Sequence, residues 1–192
     1  MNYKIKSYWL MGGLAILLVV MAFIYHFSFP IEGDCSNLER HIEDYYNRGY
    51  SVKYTPDIKI HDSITIGKTK YSLIEIDNSL GSVVLSQSVM GRYKINRLGY
   101  GSVNFRNQII ESKGEKYLLY GGRNPNSEIA SIVFILDGFT YNLEIPEKTY
   151  FFVYKKIDNR VEENHLDLNN LKLYNAQGTD ITEKLDLSGA GI

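Results

Sequence analysis

Twenty-one consecutive residues, Trp9 to Phe29 (WLMGGLAILLVVMAFIYHFSF), contain no Lys, Arg, Asp or Glu. A helix needs about 20 apolar residues to cross the roughly 30 Å hydrocarbon core of a bilayer, and this segment has that length. Everything after it is polar and broken by turns. The pattern predicts a cytoplasmic N-terminus at 1–8, a transmembrane signal anchor at 9–29, a juxtamembrane linker with a short helix at 30–49, an extracytoplasmic β-domain at 50–184 and a flexible tail at 185–192.

The anchor is expected to stay uncleaved. A signal peptide has an apolar region of about 7–15 residues ending in small side chains, whereas this one exits through Tyr25-His26-Phe27-Ser28-Phe29-Pro30. A lipobox at Cys35 fails because Asp34 stands where a small residue belongs. Lys4 and Lys6 precede the segment and Glu32 and Asp34 follow it. By the positive-inside rule the lipid bilayer is then crossed once, with the C-terminal domain outside the cell membrane, on a Gram-positive bacterial surface by its layout.

Two of the chain's 21 basic residues precede the segment, which leaves 19 against 22 acidic residues outside. A nucleic-acid-binding domain is normally strongly basic, so that class is excluded. One cysteine cannot form an internal disulfide. Cys35 is therefore a candidate for an intermolecular disulfide, with an unpaired thiol as the plainer reading.

Ser36 and Glu39 have capping-box spacing, and Leu38, Ile42, Tyr45 and Tyr46 recur at helical intervals before Gly49. A short amphipathic helix over 36–48 follows. From Tyr50 on, the period is two. Turn signals at Gly67-Lys68, Asn78-Ser79, Lys113-Gly114 and Asp137-Gly138 separate strand-like runs. Ile132–Leu136 is apolar on both faces, which predicts a central, doubly covered strand with Tyr150–Tyr154 as its next neighbour. The fold class is mainly β: an N-terminal transmembrane helix, a short amphipathic helix, then an antiparallel β-sandwich or partly open β-barrel.

Motifs of chemistry fail one by one. Gly67-Lys68-Thr69 ends like a phosphate loop, but Asp62 stands where its first glycine belongs. Neither Gly-x-Ser-x-Gly nor Ser-x-x-Lys occurs. His41, His61 and His165 have no recurring metal spacing, and the acidic run from Asp158 to Asp167 lacks the glycine of a calcium loop. No catalytic residue, cofactor or metal ligand set is expected. The surviving candidate is Gly91–Arg106 (GRYKINRLGYGSVNFR), which carries Arg92, Lys94, Arg97 and Arg106 and no acid. As a strand it would put Arg92, Lys94 and Asn96 on one face, suited to an anionic envelope polymer, lipid headgroups or another membrane protein. The plainer reading is a charged edge strand protected from aggregation. Tyr100, between Gly99 and Gly101, suits a ring presented at a loop tip for recognition, with a tight turn as the plainer reading. These features favour a non-enzymatic binding or accessory module at the cell envelope over an envelope hydrolase with non-contiguous catalytic residues.

Overall fold

The computed structural model describes residues 3–102 and 104–184, with side chains from residue 12 onward except at 168. The tail expected from 185 lies outside the described residues.

Helix α1 runs Tyr3–Ser28. The transmembrane anchor expected at 9–29 is not supported, because among the described residues no helix is long and apolar enough to cross a membrane. The described helix side chains begin at Gly12 and end at Ser28. Within that stretch the apolar side chains Leu14, Ile16, Leu17, Leu18, Val19, Val20, Met21, Phe23, Ile24 and Phe27 are all exposed.

Helix α2, Leu38–Tyr46, is shorter than expected and lacks the predicted capping box. Ser36 spends its hydroxyl on Glu32 Oε2 and its N–H on Asp34 Oδ1. The residue before the helix, Asn37, makes no side-chain cap. Its side chain instead accepts the Glu32 N–H at 3.0 Å and donates to the Pro30 carbonyl at 3.2 Å. The linker's own turn thus outcompetes the cap for these short polar groups. Gly49, at φ +89°, ends the helix region as expected.

The rest is antiparallel sheet. The first sheet holds β1 (Ile58–Ile66), β2 (Thr69–Ile76), β3 (Ser79–Gln87) and β4 (Tyr93–Ser102) in chain order. Then come β5 (Phe105–Ser112), β6 (Glu115–Arg123), β7 (Ser131–Leu136), β8 (Phe139–Glu144), β9 (Tyr150–Ile157) and β10 (Leu171–Tyr174). They form a second sheet ordered β5-β6-β9 and a third ordered β10-β7-β8. None of these orders closes on itself, so the described sheets are open rather than barrelled. Asp77 and Asn78 both have positive φ, 48° and 67°, at the β2–β3 turn. That matches the right-handed twist of the strands they join.

Three apolar clusters order the layers. Ile31, Leu38 and Ile42 pack with Ile74, Ile76, Val83 and Leu85 on one face of the first sheet. On its other face, Tyr71, Leu73, Leu80 and Val84 meet Ile110, Leu119 and Phe152 of the second sheet. Phe105, Leu118, Tyr120 and Phe151 of the second sheet meet Ile132, Phe134, Leu143, Leu171 and Leu173 of the third. The doubly covered strand is therefore β6, not β7. Strand β7 belongs to an outer sheet; it buries Ile132, Phe134 and Leu136 but leaves Ile135 46% exposed. Tyr150–Tyr154 likewise departs from expectation, since β9 crosses over to pair with β6.

Candidate binding surface on the edge strand

Strand β4 is the last of its sheet, and its free edge is met by the linker: Ile31 and Tyr93 exchange backbone hydrogen bonds of 3.0 and 2.9 Å. The basic residues expected to share one face diverge here. Arg92 turns back to α1, donating through Nε to the Phe29 carbonyl and through Nη2 to the Pro30 carbonyl, both at 2.7 Å. These carbonyls lie just past the helix end, where acceptors lack intrahelical partners and a cation is favourable. Arg92 is a clamp rather than a free anion receptor.

Lys94 is exposed, with its Nζ 5.4 Å from the centroid of the Phe29 ring. A register shift follows: Ile95 pairs with Leu85 and Arg97 with Val84, which leaves Asn96 as the extra residue. The bulge breaks the simple alternation assumed for residues 92–97 and re-aims Arg97. Arg106, on β5, is only half-exposed and donates to Ser102 Oγ at 3.3 Å. Burial, and then the Arg97 charge, push its pKa below the usual arginine value. Gly99 makes room for it, since a Cβ there would come 3.0 Å from Arg106 Nη2.

Tyr100 sits within β4, not at a loop tip, and pairs with Gly81. A side chain at Gly81 would meet the Gly99 carbonyl oxygen at 2.7 Å, so this pairing requires glycine. The Tyr100 ring lies 5.3 Å from Tyr46, whose ring lies 6.4 Å from Tyr54. The hydrogen bond with Tyr100, then burial, push the Tyr46 phenol up to about 12. The three rings form an aromatic patch at the end of β4 away from Arg92, with Tyr54 and Tyr100 exposed. Cys35, half-buried, packs against the linker-side core and accepts a hydrogen bond from Lys70 Nζ at 3.2 Å.

A second cluster was not foreseen. The Glu75 carboxylate, on β2, accepts hydrogen bonds from Arg123 Nη2 at 2.8 Å and Tyr150 Oη at 3.0 Å. His61 Nε2 lies 3.5 Å from the same oxygen, and Lys59 Nζ lies 3.8 Å from the other. The His61 and Tyr150 rings stack at 3.5 Å with 4° between planes. Burial opposes ionisation of Glu75, but the hydrogen bonds from Arg123 and Tyr150 outweigh it and hold the carboxyl below its ordinary value. Burial also lowers the His61 pKa, against the pull of Glu75. A general acid or base needs a pKa near the working pH and a free path to substrate. Glu75 is held ionised by Arg123 of β6 and Tyr150 of β9, so the cluster ties the first sheet to the second.

The acidic run is also committed. Asp137 Oδ2 accepts the Glu162 N–H at 2.6 Å, Glu163 Oε1 accepts the Asp137 N–H at 3.1 Å, and Asp158 pairs with Arg160. Among the described residues no group of three or more His, Cys, Asp or Glu is placed to hold a metal. A cleft of 640 Å³ on the third sheet is lined by Val133, Ile135, Lys172, Asp180 and Glu183 among others. Asp180 there is engaged by Thr182 and Lys172. Comparison with protein-family models, curated proteins and solved structures finds no match.

Proposed function

We propose that the chain is a membrane-tethered, non-enzymatic binding module of the cell envelope, with α1 in lipid and the β-domain outside. The observation that carries this reading is the uncovered helix. From Leu14 to Phe27 its large apolar side chains are exposed, and none belongs to any of the three cores. A helix apolar all round is stable only inside an apolar surrounding. The uncharged run over 9–29, with lysines before it and acids after it, favours a bilayer entered from the cytoplasmic side.

Binding is favoured over hydrolysis because the carboxylate of the most acid–base-like cluster, Glu75, is held ionised by Arg123 and Tyr150. The groups left open on β4 are Lys94, Arg97 and the tyrosine patch at Tyr100, which suit an anionic envelope polymer or an acidic face of a membrane protein. The test uses full-length protein with Cys35→Ser and Val52→Cys, a fully open position. In intact cells a membrane-impermeant maleimide should label Val52→Cys, and the protein should stay in the pellet through alkaline carbonate extraction. Release by carbonate, or labelling only after permeabilisation, would refute the tether and its direction.

A further inference from the structure

Among the described residues, four two-residue turns end hairpins, at Gly67-Lys68, Asp77-Asn78, Lys113-Gly114 and Asp137-Gly138, and all four are built from polar residues and glycine. The β3–β4 connection is different. Between Ser88 and Gly91, which are joined by a 3.2 Å backbone hydrogen bond, it places Val89 and Met90 at its tip. They are 91% and 78% exposed, among the most open large apolar side chains in the described chain. Turn positions normally favour Gly, Asn, Asp, Ser or Pro, and no local backbone need explains Val and Met here.

The place of this turn supplies the explanation. Ser88 Oγ contacts the Tyr25 hydroxyl, one turn before the end of α1. Arg92, on the far side of the same turn, holds the Phe29 and Pro30 carbonyls. Gly33 of the linker packs beside it, where a Cβ would come 3.2 Å from the Gly91 oxygen. The turn is thus fixed against the last part of the apolar helix. Strand register puts the Gly67-Lys68 turn at the same end of the first sheet, since Thr69 pairs with Ser86. Lys113 joins them there, because a Cβ on Gly67 would lie 3.8 Å from its Cε. Both Lys68 and Lys113 are exposed.

We infer that this end of the β-domain rests on the lipid surface: Val89 and Met90 insert into the bilayer interface, and Lys68 and Lys113 face anionic headgroups. The inference rests on the reading of α1 as a lipid-embedded helix. If α1 occupies lipid, a turn contacting Tyr25 lies at interfacial depth, where apolar tips are favoured and lysines meet negative lipid charge. The domain then has two points of contact, so its orientation is fixed rather than free about one tether. The tyrosine patch at the other end of β4 is held away from the membrane.

The experiment places an environment-sensitive nitrobenzoxadiazole probe on single cysteines in the full-length Cys35→Ser protein. The protein is reconstituted in phosphatidylcholine–phosphatidylglycerol vesicles. Probe sites are Met90→Cys at the turn, Ile24→Cys in α1, and Glu147→Cys in the exposed β8–β9 connection at the opposite end. Brominated lipids should quench the Met90 and Ile24 probes at least about twofold relative to Glu147, with blue-shifted emission at both. Quenching at Ile24 with a water-like Met90 probe would overturn this inference and leave the tether intact. A water-like probe at Ile24 would overturn the tether itself, and the inference with it.

Discussion

Glu75 is the charged side chain whose surroundings leave it least room. It lies in Tyr71–Ile76, a run buried throughout, and its side chain is 5% exposed. Removing one partner of a buried ion pair strands the other charge and costs about 3–5 kcal/mol. Arg123→Met should fall at the low end, about 3 kcal/mol, because Arg123 keeps 24% of its side chain in solvent. Acid should unfold the protein in two stages of the same sign. Folding holds the His61 imidazole below its ordinary value of 6.5 and the Glu75 carboxyl below 4.5. In both cases the unfolded chain binds protons more readily, so stability is complete above the unfolded values and is lost as pH falls. Urea midpoints should be flat above pH 6.5, begin to drop below it as His61 charges, and drop again below 4.5. Glu75→Gln should flatten the lower stage and steepen the upper one, since His61 loses the anion that favours its charged form. A midpoint unchanged from pH 7 to pH 5 would contradict the His61 assignment. None of this cluster was legible in the sequence, because His61, Glu75, Arg123 and Tyr150 stand on four strands with no shared spacing. The nearest clue was the lone acid in YSLIEI, since a buried carboxylate requires partners.

Between elements, the joint that matters most is Arg92, which holds the exit of α1 to the first residues of β4. Hydrogen bonds involving a charged donor contribute about 1.5–3 kcal/mol, and Arg92 makes two to backbone oxygens that have no helical partner. Arg92→Gln should therefore loosen the joint without melting the sheets. Limited proteolysis should cut within 28–33 several-fold faster, while the far-UV circular dichroism transition stays near its original midpoint. Equal cleavage rates would mean that the Ile31–Tyr93 bridge holds the linker alone. The hairpins at Gly67-Lys68, Lys113-Gly114 and Asp137-Gly138 were legible because a two-residue turn is encoded by the residues within it. Arg92 was misread because its partner carbonyls belong to a helix end 62 or more positions earlier. The bulge at Asn96 also hides from sequence, since it depends on how β3 and β4 slide past each other.

At the scale of the whole molecule, the second sheet contributes to one core on each face and joins two cores that would otherwise be separate. Strand β6 shows the arrangement in two neighbouring residues: Leu118 packs toward the third sheet and Leu119 toward the first, at 0% and 2% exposure. Sequence periodicity could not select β6 for this role, because its run KYLLYGG is less apolar than Ile132–Leu136 of β7. Stacking order is set by the non-local β6–β9 pairing, which skips both strands between them. The shared sheet makes a thermodynamic prediction. Truncating a buried leucine costs about 2–5 kcal/mol, so Leu118→Ala and Leu119→Ala should each cost an amount in that range. If the second sheet couples the two cores, each variant shifts one common transition, and far-UV circular dichroism and near-UV tyrosine signals coincide in urea. If the cores were independent, each substitution would split the transition, Leu118→Ala releasing the third sheet first and Leu119→Ala the first sheet. Gly121 points to coupling, because a Cβ there would press within 2.7 Å of Phe152 and 3.1 Å of Leu73. At that closeness the first and second sheets cannot separate without exposing the strand that also floors the third.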